Sequence, residues 1–100
     1  MMSKPVFIKT KNKTLELRYS TKKFMEIEED LKKPVSQLSD SITDLVYALC
    51  RGVNNREFSV DDACEVIDEL GPEFVGKKVS KAINEAAKAR KDQKNLKKVV

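Results

Sequence analysis

The sequence predicts a mostly α, α+β fold: an N-terminal β-hairpin packed on a bundle of about four helices, with a basic C-terminal helix or tail. Three observations predict it. Apolar and polar residues alternate only over residues 5–19. From residue 21 onward the apolar residues recur at helical spacing, in runs separated by Pro, Gly or Asn. The last quarter is crowded with Lys and Arg. At 100 residues the chain holds one domain, expected over residues 1–91, with 92–100 a frayed basic tail. Leu, Ile, Val and Phe make up 27 residues, above the roughly 20% that marks disordered chains, so a small core can form.

In the hairpin, Val6 and Ile8 flank Phe7, and Leu15, Leu17 and Tyr19 share one face. Lys11-Asn12-Lys13 is the polar turn between the strands. A lone hairpin is marginal in water, so its apolar face must pack on helices. The first helix is expected over about 21–32, capped by Ser20 or Thr21, with Phe24, Ile27 and Leu31 in one stripe. Pro34 ends it, because the residue before a proline disfavours helical geometry.

Residues 35–39 are a short connection. A second helix follows over about 40–52, started by Ser39, Asp40 or Ser41, with Ile42, Leu45, Val46, Leu49 and Val53 inward and Cys50 beside them. Ser59-Val60-Asp61-Asp62 opens a third helix over about 60–70, with two acids where the helix dipole favours them. Ala63, Val66, Ile67 and Leu70 face inward. Gly71 closes that helix and Pro72 opens the last, over about 72–91. Its inner stripe is Phe74, Val75, Val79, Ala82, Ile83 and Ala86, and Gly76 is read as a site of close backbone contact. Past Ala87 the stripe fails and fraying is expected from about 92.

Composition excludes several kinds of chemistry. The chain has no His, which removes Ser-His-Asp and Cys-His nucleophilic sites and histidine metal sites. Cys50 and Cys64 form no CxxC pair. They read as small apolar side chains, with a disulfide the minor alternative. Neither GxGxxG nor GxxxxGK[ST] is present. The acidic runs Glu26–Asp30 and Asp61–Glu69 lack the spacing of a calcium loop and read as solvated helix faces. The expectation is a non-enzyme without cofactor or metal. No run approaches about 18 apolar residues, so no membrane span is expected. The first residues lack the apolar run of a secretory signal, which points to a reducing cytoplasm.

The net charge of +4 is unevenly placed. Residues 1–75 carry 11 basic and 14 acidic side chains, whereas residues 76–100 carry 9 basic and 2 acidic. The basic segment suits an acidic protein partner or nucleic acid, but no aromatic residue lies among its lysines to stack on bases. A nucleic-acid-binding or regulatory role is therefore the second reading, and a solubilising tail the plainer one. Candidate partner-binding residues are Phe58, Phe74 and Val79, with Lys77, Lys78 and Lys81 beside them. Phe58 has a competing reading, as a staple against Ala63 at the start of the third helix.

The run Leu15-Glu16-Leu17-Arg18-Tyr19-Ser20-Thr21-Lys22-Lys23-Phe24-Met25-Glu26-Ile27-Glu28-Glu29-Asp30-Leu31 is followed by Val35-Ser36-Gln37-Leu38 and an apolar helix, Ile42–Cys50. Next comes Phe58-Ser59-Val60-Asp61-Asp62-Ala63. This order resembles the small tail assembly chaperones of long-tailed bacteriophages and prophages, over residues 6–85. The chain departs from the pattern after Leu31, where a Gly is expected and Lys32-Lys33-Pro34 stands. The resemblance implies a transient assembly factor in the cytoplasm of a bacterial host. Such a factor binds the long, helical tape measure protein and masks its apolar stripes until tube subunits polymerise. The tail tube protein is a further candidate partner, since related phages make a longer, frameshifted form that recruits it. The resemblance brings no catalytic residues, and self-association stays open.

Overall fold

Strands β1 (Val6–Lys9) and β2 (Thr14–Leu17) form an antiparallel hairpin with Val6 opposite Leu17 and Ile8 opposite Leu15. This register puts the four apolar side chains on one face, and all four are buried. Phe7 and Lys9 occupy the other face of β1 and are exposed. In the turn, the Thr10 amide donates to the Lys13 carbonyl at 2.8 Å, and Thr10 Oγ1 accepts from the Lys13 amide at 3.1 Å. The computed structural model describes residues 4–39 and 41–99, with side chains described through residue 88.

Four α-helices follow: α1 (Thr21–Leu31), α2 (Ile42–Gly52), α3 (Val60–Leu70) and α4 (Pro72–Val99), with a short 3₁₀ turn at Val35–Gln37 between the first two. The hairpin and helix bundle are as the sequence predicts. Each of the first three helices starts on a serine. The side chains of Ser20, Ser41 and Ser59 accept from the amides of Lys23, Asp44 and Asp62. At α3 the cap is reciprocal: Asp62 Oδ2 accepts from the Ser59 amide at 2.9 Å.

Helix α1 ends at Lys32, whose φ of 57° and ψ of 36° place it in the left-handed region. Glycine is the residue that takes this left-handed conformation at least cost. A side chain there costs about 1–2 kcal/mol, and the reversal turns Lys33 back toward α2. Gly71, with φ at 89°, makes the corner between α3 and α4.

The core joins both layers: Ile8 and Leu17 from the hairpin, Ile27 from α1, Leu49 from α2 and Val75 from α4 are fully buried. Helix α2 is central, packing against α1, α3, α4 and β2, while α4 also packs on α3 and β1. The segment after α2 closes the outer edge of β2. The Arg18 amide donates to the Gly52 carbonyl and the Asn54 amide to the Glu16 carbonyl, both at 2.9 Å, with Leu17 bridged to Val53.

Several expectations are corrected. Ile42 is 54% exposed and Phe74 44% exposed, so neither belongs to the inner stripe of its helix. Cys64 is exposed, Cys50 is half-buried, and both are free thiols. The tight glycine is Gly52, where a Cβ would overlap the Tyr19 ring, whereas a Cβ on Gly76 would meet nothing within 4 Å. The acidic run on α1 is not simply solvated. Asp30 takes two hydrogen bonds from Arg51, at 2.7 and 3.0 Å, and Glu28 accepts from the Val35 amide at 2.9 Å. Helix α4 continues to Val99 rather than ending near 91. The side chains of the segment expected to fray lie outside the described residues.

Candidate partner-binding groove

An open groove of about 1190 Å³ lies between α2 and α4. Its floor is Leu45, Ala48 and Val79, all buried. One wall is Leu38 and Ile42; the other is Ile83 and Ala87 from α4, with Pro72 and Gly76 nearer its start. Ile42 is the most exposed large aliphatic side chain on these walls. It sits on the first turn of α2.

The wall carrying Leu38 is held by one buried carboxylate. Asp44 is 4% exposed. Its Oδ2 accepts from Lys33 Nζ at 2.6 Å, from the Ser39 amide at 2.8 Å and from Ser39 Oγ at 2.8 Å. Three donors on one oxygen offset the cost of removing it from water. The Lys33 ammonium and the Ser39 amide hold the Asp44 carboxyl down to about 2, against the opposing effect of burial. The left-handed Lys32 brings Lys33 to this carboxylate. Lys33 and Ser39 are thus both tied to Asp44, and Leu38, between them in sequence, lines the groove.

On the far side of α2, Arg51 clamps α1 through Asp30 and, at 3.4 Å, Glu26. The Asp30 carboxylate raises the Arg51 pKa further above its usual value. Beneath the groove, the Tyr19 hydroxyl donates to the Ala48 carbonyl at 2.6 Å, and its ring stacks on Phe24 at 5.7 Å. Burial pushes the Tyr19 phenol far above its ordinary value. The two sides of α2 are therefore anchored independently.

The structure brings Val79, Lys77 and Lys81 to this groove, Val79 in the floor and the two lysines on the rim. Lys78 and Phe74 lie off it on another face of α4, where Lys78 Nζ sits 5.6 Å from the Phe74 ring centroid. Phe58 does not project toward a partner. It is 6% exposed in the core, and Lys13 Nζ lies 5.7 Å from its ring centroid. Sequence reasoning missed Leu38, Ile42, Asp44, Ile83 and Lys88 as groove residues. Helical periodicity names the face a residue occupies, but not whether another element covers that face. The one available signal was Asp44 itself, a charge beside an apolar stripe.

Among the described residues, no group of three or more His, Cys, Asp and Glu is placed to hold a metal ion. No helix among them is long and apolar enough to cross a membrane. No protein-family model matches this chain, and neither a curated protein nor a solved structure matches it. The groove is therefore read from its own chemistry. It offers aliphatic walls, a buried floor and a lysine rim.

Proposed function

We propose that this protein is a non-enzymatic tail assembly chaperone of a long-tailed bacteriophage or prophage, binding the tape measure protein and keeping it soluble in the host cytoplasm during tail assembly. The observation that carries this reading is the open apolar groove between α2 and α4, with Ile42 uncovered on its wall. A long helical partner with apolar stripes needs such a surface to shield one stripe at a time. The resemblance of residues 6–85 to such chaperones supplies the identity of the partner. The groove supplies a physical means of holding it. The tail tube protein stands as a second candidate partner on the same resemblance.

The test is co-purification with the tape measure protein. Wild-type chain is expected to retain it at micromolar concentration. Ile42→Asp is expected to lose it while keeping its fold, because the side chain is already more than half exposed. Failure of wild-type protein to retain the tape measure protein would overturn the proposal.

A nucleic-acid-binding role is the second reading, favoured by the exposed Lys77, Lys81 and Lys88 on α4. It predicts binding to duplex DNA that weakens steeply with salt. Absence of binding at low salt removes it.

A further inference from the structure

The groove is electrically lopsided, and this says what kind of helix fits it. On the α2 side the walls are aliphatic, and the one carboxylate, Asp44, is already engaged by Lys33 and Ser39. On the α4 side, Lys77, Lys81 and Lys88 line the groove. At 100° per residue these three lysines fall within about 40° of one another on the helix, and they span about 16 Å along it. None of the three has an ion-pair partner among the described residues. Glu73 and Glu85 also line the groove, so the lysines outnumber the carboxylates on this wall. The sequence of the same helix from 89 to 99 adds five basic residues against one acidic.

We infer that the groove selects an amphipathic partner helix whose apolar stripe is flanked by acidic residues on the side facing α4. The inference rests on the proposed chaperone role and specifies the segment of the partner that is held. Acidic side chains spaced three, four or seven residues apart on the partner match the lysine rail over about three turns. The aliphatic stripe then meets Leu38, Ile42 and Ile83. A second copy of this chain does not meet the description. Its acidic helices α1 and α3 have already committed their apolar stripes, through Phe24, Ile27, Val66 and Ile67, to the core. A nucleic acid does not meet it either, because phosphates gain nothing from the aliphatic walls. The cationic continuation of α4 adds long-range attraction and speeds encounter with an acidic segment.

The experiment uses the full chain and three synthetic amphipathic peptides with one shared Leu stripe, their flanks made of Glu, Gln or Lys. Binding is read by fluorescence anisotropy at about 50 and about 500 mM salt. The Glu peptide is expected to bind about tenfold or more tighter than the Lys peptide at the lower salt, with the gap shrinking at the higher. Lys77→Glu/Lys81→Glu, at two exposed positions, is expected to reverse the order. Equal binding of the three peptides, tighter binding of the Lys peptide, or no binding of any overturns the inference. Retention of the tape measure protein by the wild-type chain, measured alongside, separates that outcome from failure of the chaperone proposal. Flank-indifferent peptides with the tape measure protein still held would refute the charge selection alone.

Discussion

Gly52→Ala sets two physical rules against each other. Gly52 is the last residue of α2, and its φ is not positive, so helix propensity alone predicts that alanine there stabilises, by up to about 1 kcal/mol. The structure predicts the opposite sign. A Cβ at this position would overlap the hydroxyl end of Tyr19 and come within 2.9 Å of Cε1. Tyr19 has little room to yield. It is 2% exposed, its ring lies 6° from parallel with Phe24, and its hydroxyl is bonded to the Ala48 carbonyl. Displacing it gives up a buried hydrogen bond, about 1–3 kcal/mol, and part of a ring stack worth about 0.5–1.5 kcal/mol. After the propensity gain, the expected net loss is about 1–3 kcal/mol, read as a lower urea midpoint at unchanged slope. A melting temperature lower by about 4–24 °C should accompany it. Tyr19→Phe removes the atom nearest the new methyl, so Gly52→Ala should cost less in that background. A coupling of about 1 kcal/mol between the two changes is expected. If Gly52→Ala raises the midpoint, or costs the same with Phe at position 19, the close approach is not what holds this residue as glycine.

Three further outcomes follow from the same contacts. Asp44→Asn should destabilise by about 2 kcal/mol at neutral pH, since it weakens bonds from a lysine and a serine. The Asp44 carboxyl ionises at about 2 when folded against 3.8 when exposed, so its contribution is full above about pH 4 and fades as pH falls toward 2. The gap between wild type and Asp44→Asn in urea melts should close over that window, and a gap independent of pH contradicts the assignment. Ser59→Ala removes the side-chain acceptor for the Asp62 amide but leaves the Ser59 amide bonded to Asp62, and should cost about 1 kcal/mol in the same assay, with Ser59→Gly milder. In native protein a water-soluble disulfide reagent should label Cys64 quickly and Cys50 slowly. Cys50 is half-buried, its thiol is pushed up by burial, and it lies against the Phe58 carbonyl at 3.6 Å. Equal rates at the two thiols would contradict this placement.

Local chemistry made most of the fold legible in the sequence. Serines at 20, 41 and 59 and the Gly71-Pro72 pair mark helix ends because capping is decided within four residues of chain. The hairpin face was readable because alternation needs no knowledge of the rest of the molecule. What escaped depends on residues far away in the chain. Ile42 has the right phase for the core, yet its side chain is left more than half exposed. Phe74 is likewise left exposed, with Lys78 of its own helix against its ring. Arg51 meets Asp30 across 21 positions, and Gly52 is small because of Tyr19, 33 positions earlier. The groove was partly legible. Val79, Lys77 and Lys81 were named, but its lining brings together residues 38–48 and 72–88, which no window of sequence reports.

The strap of residues 52–54 along β2 ties the hairpin to the same helix that forms one bank of the groove. Peeling the two strands away would strip Gly52 and Asn54 of their backbone partners and loosen the end of α2. The hairpin and the bank of the groove formed by α2 are therefore coupled through this strap. A partner helix of the proposed kind would meet a cleft already held in shape by this strap, so its binding would carry little cost of ordering the protein.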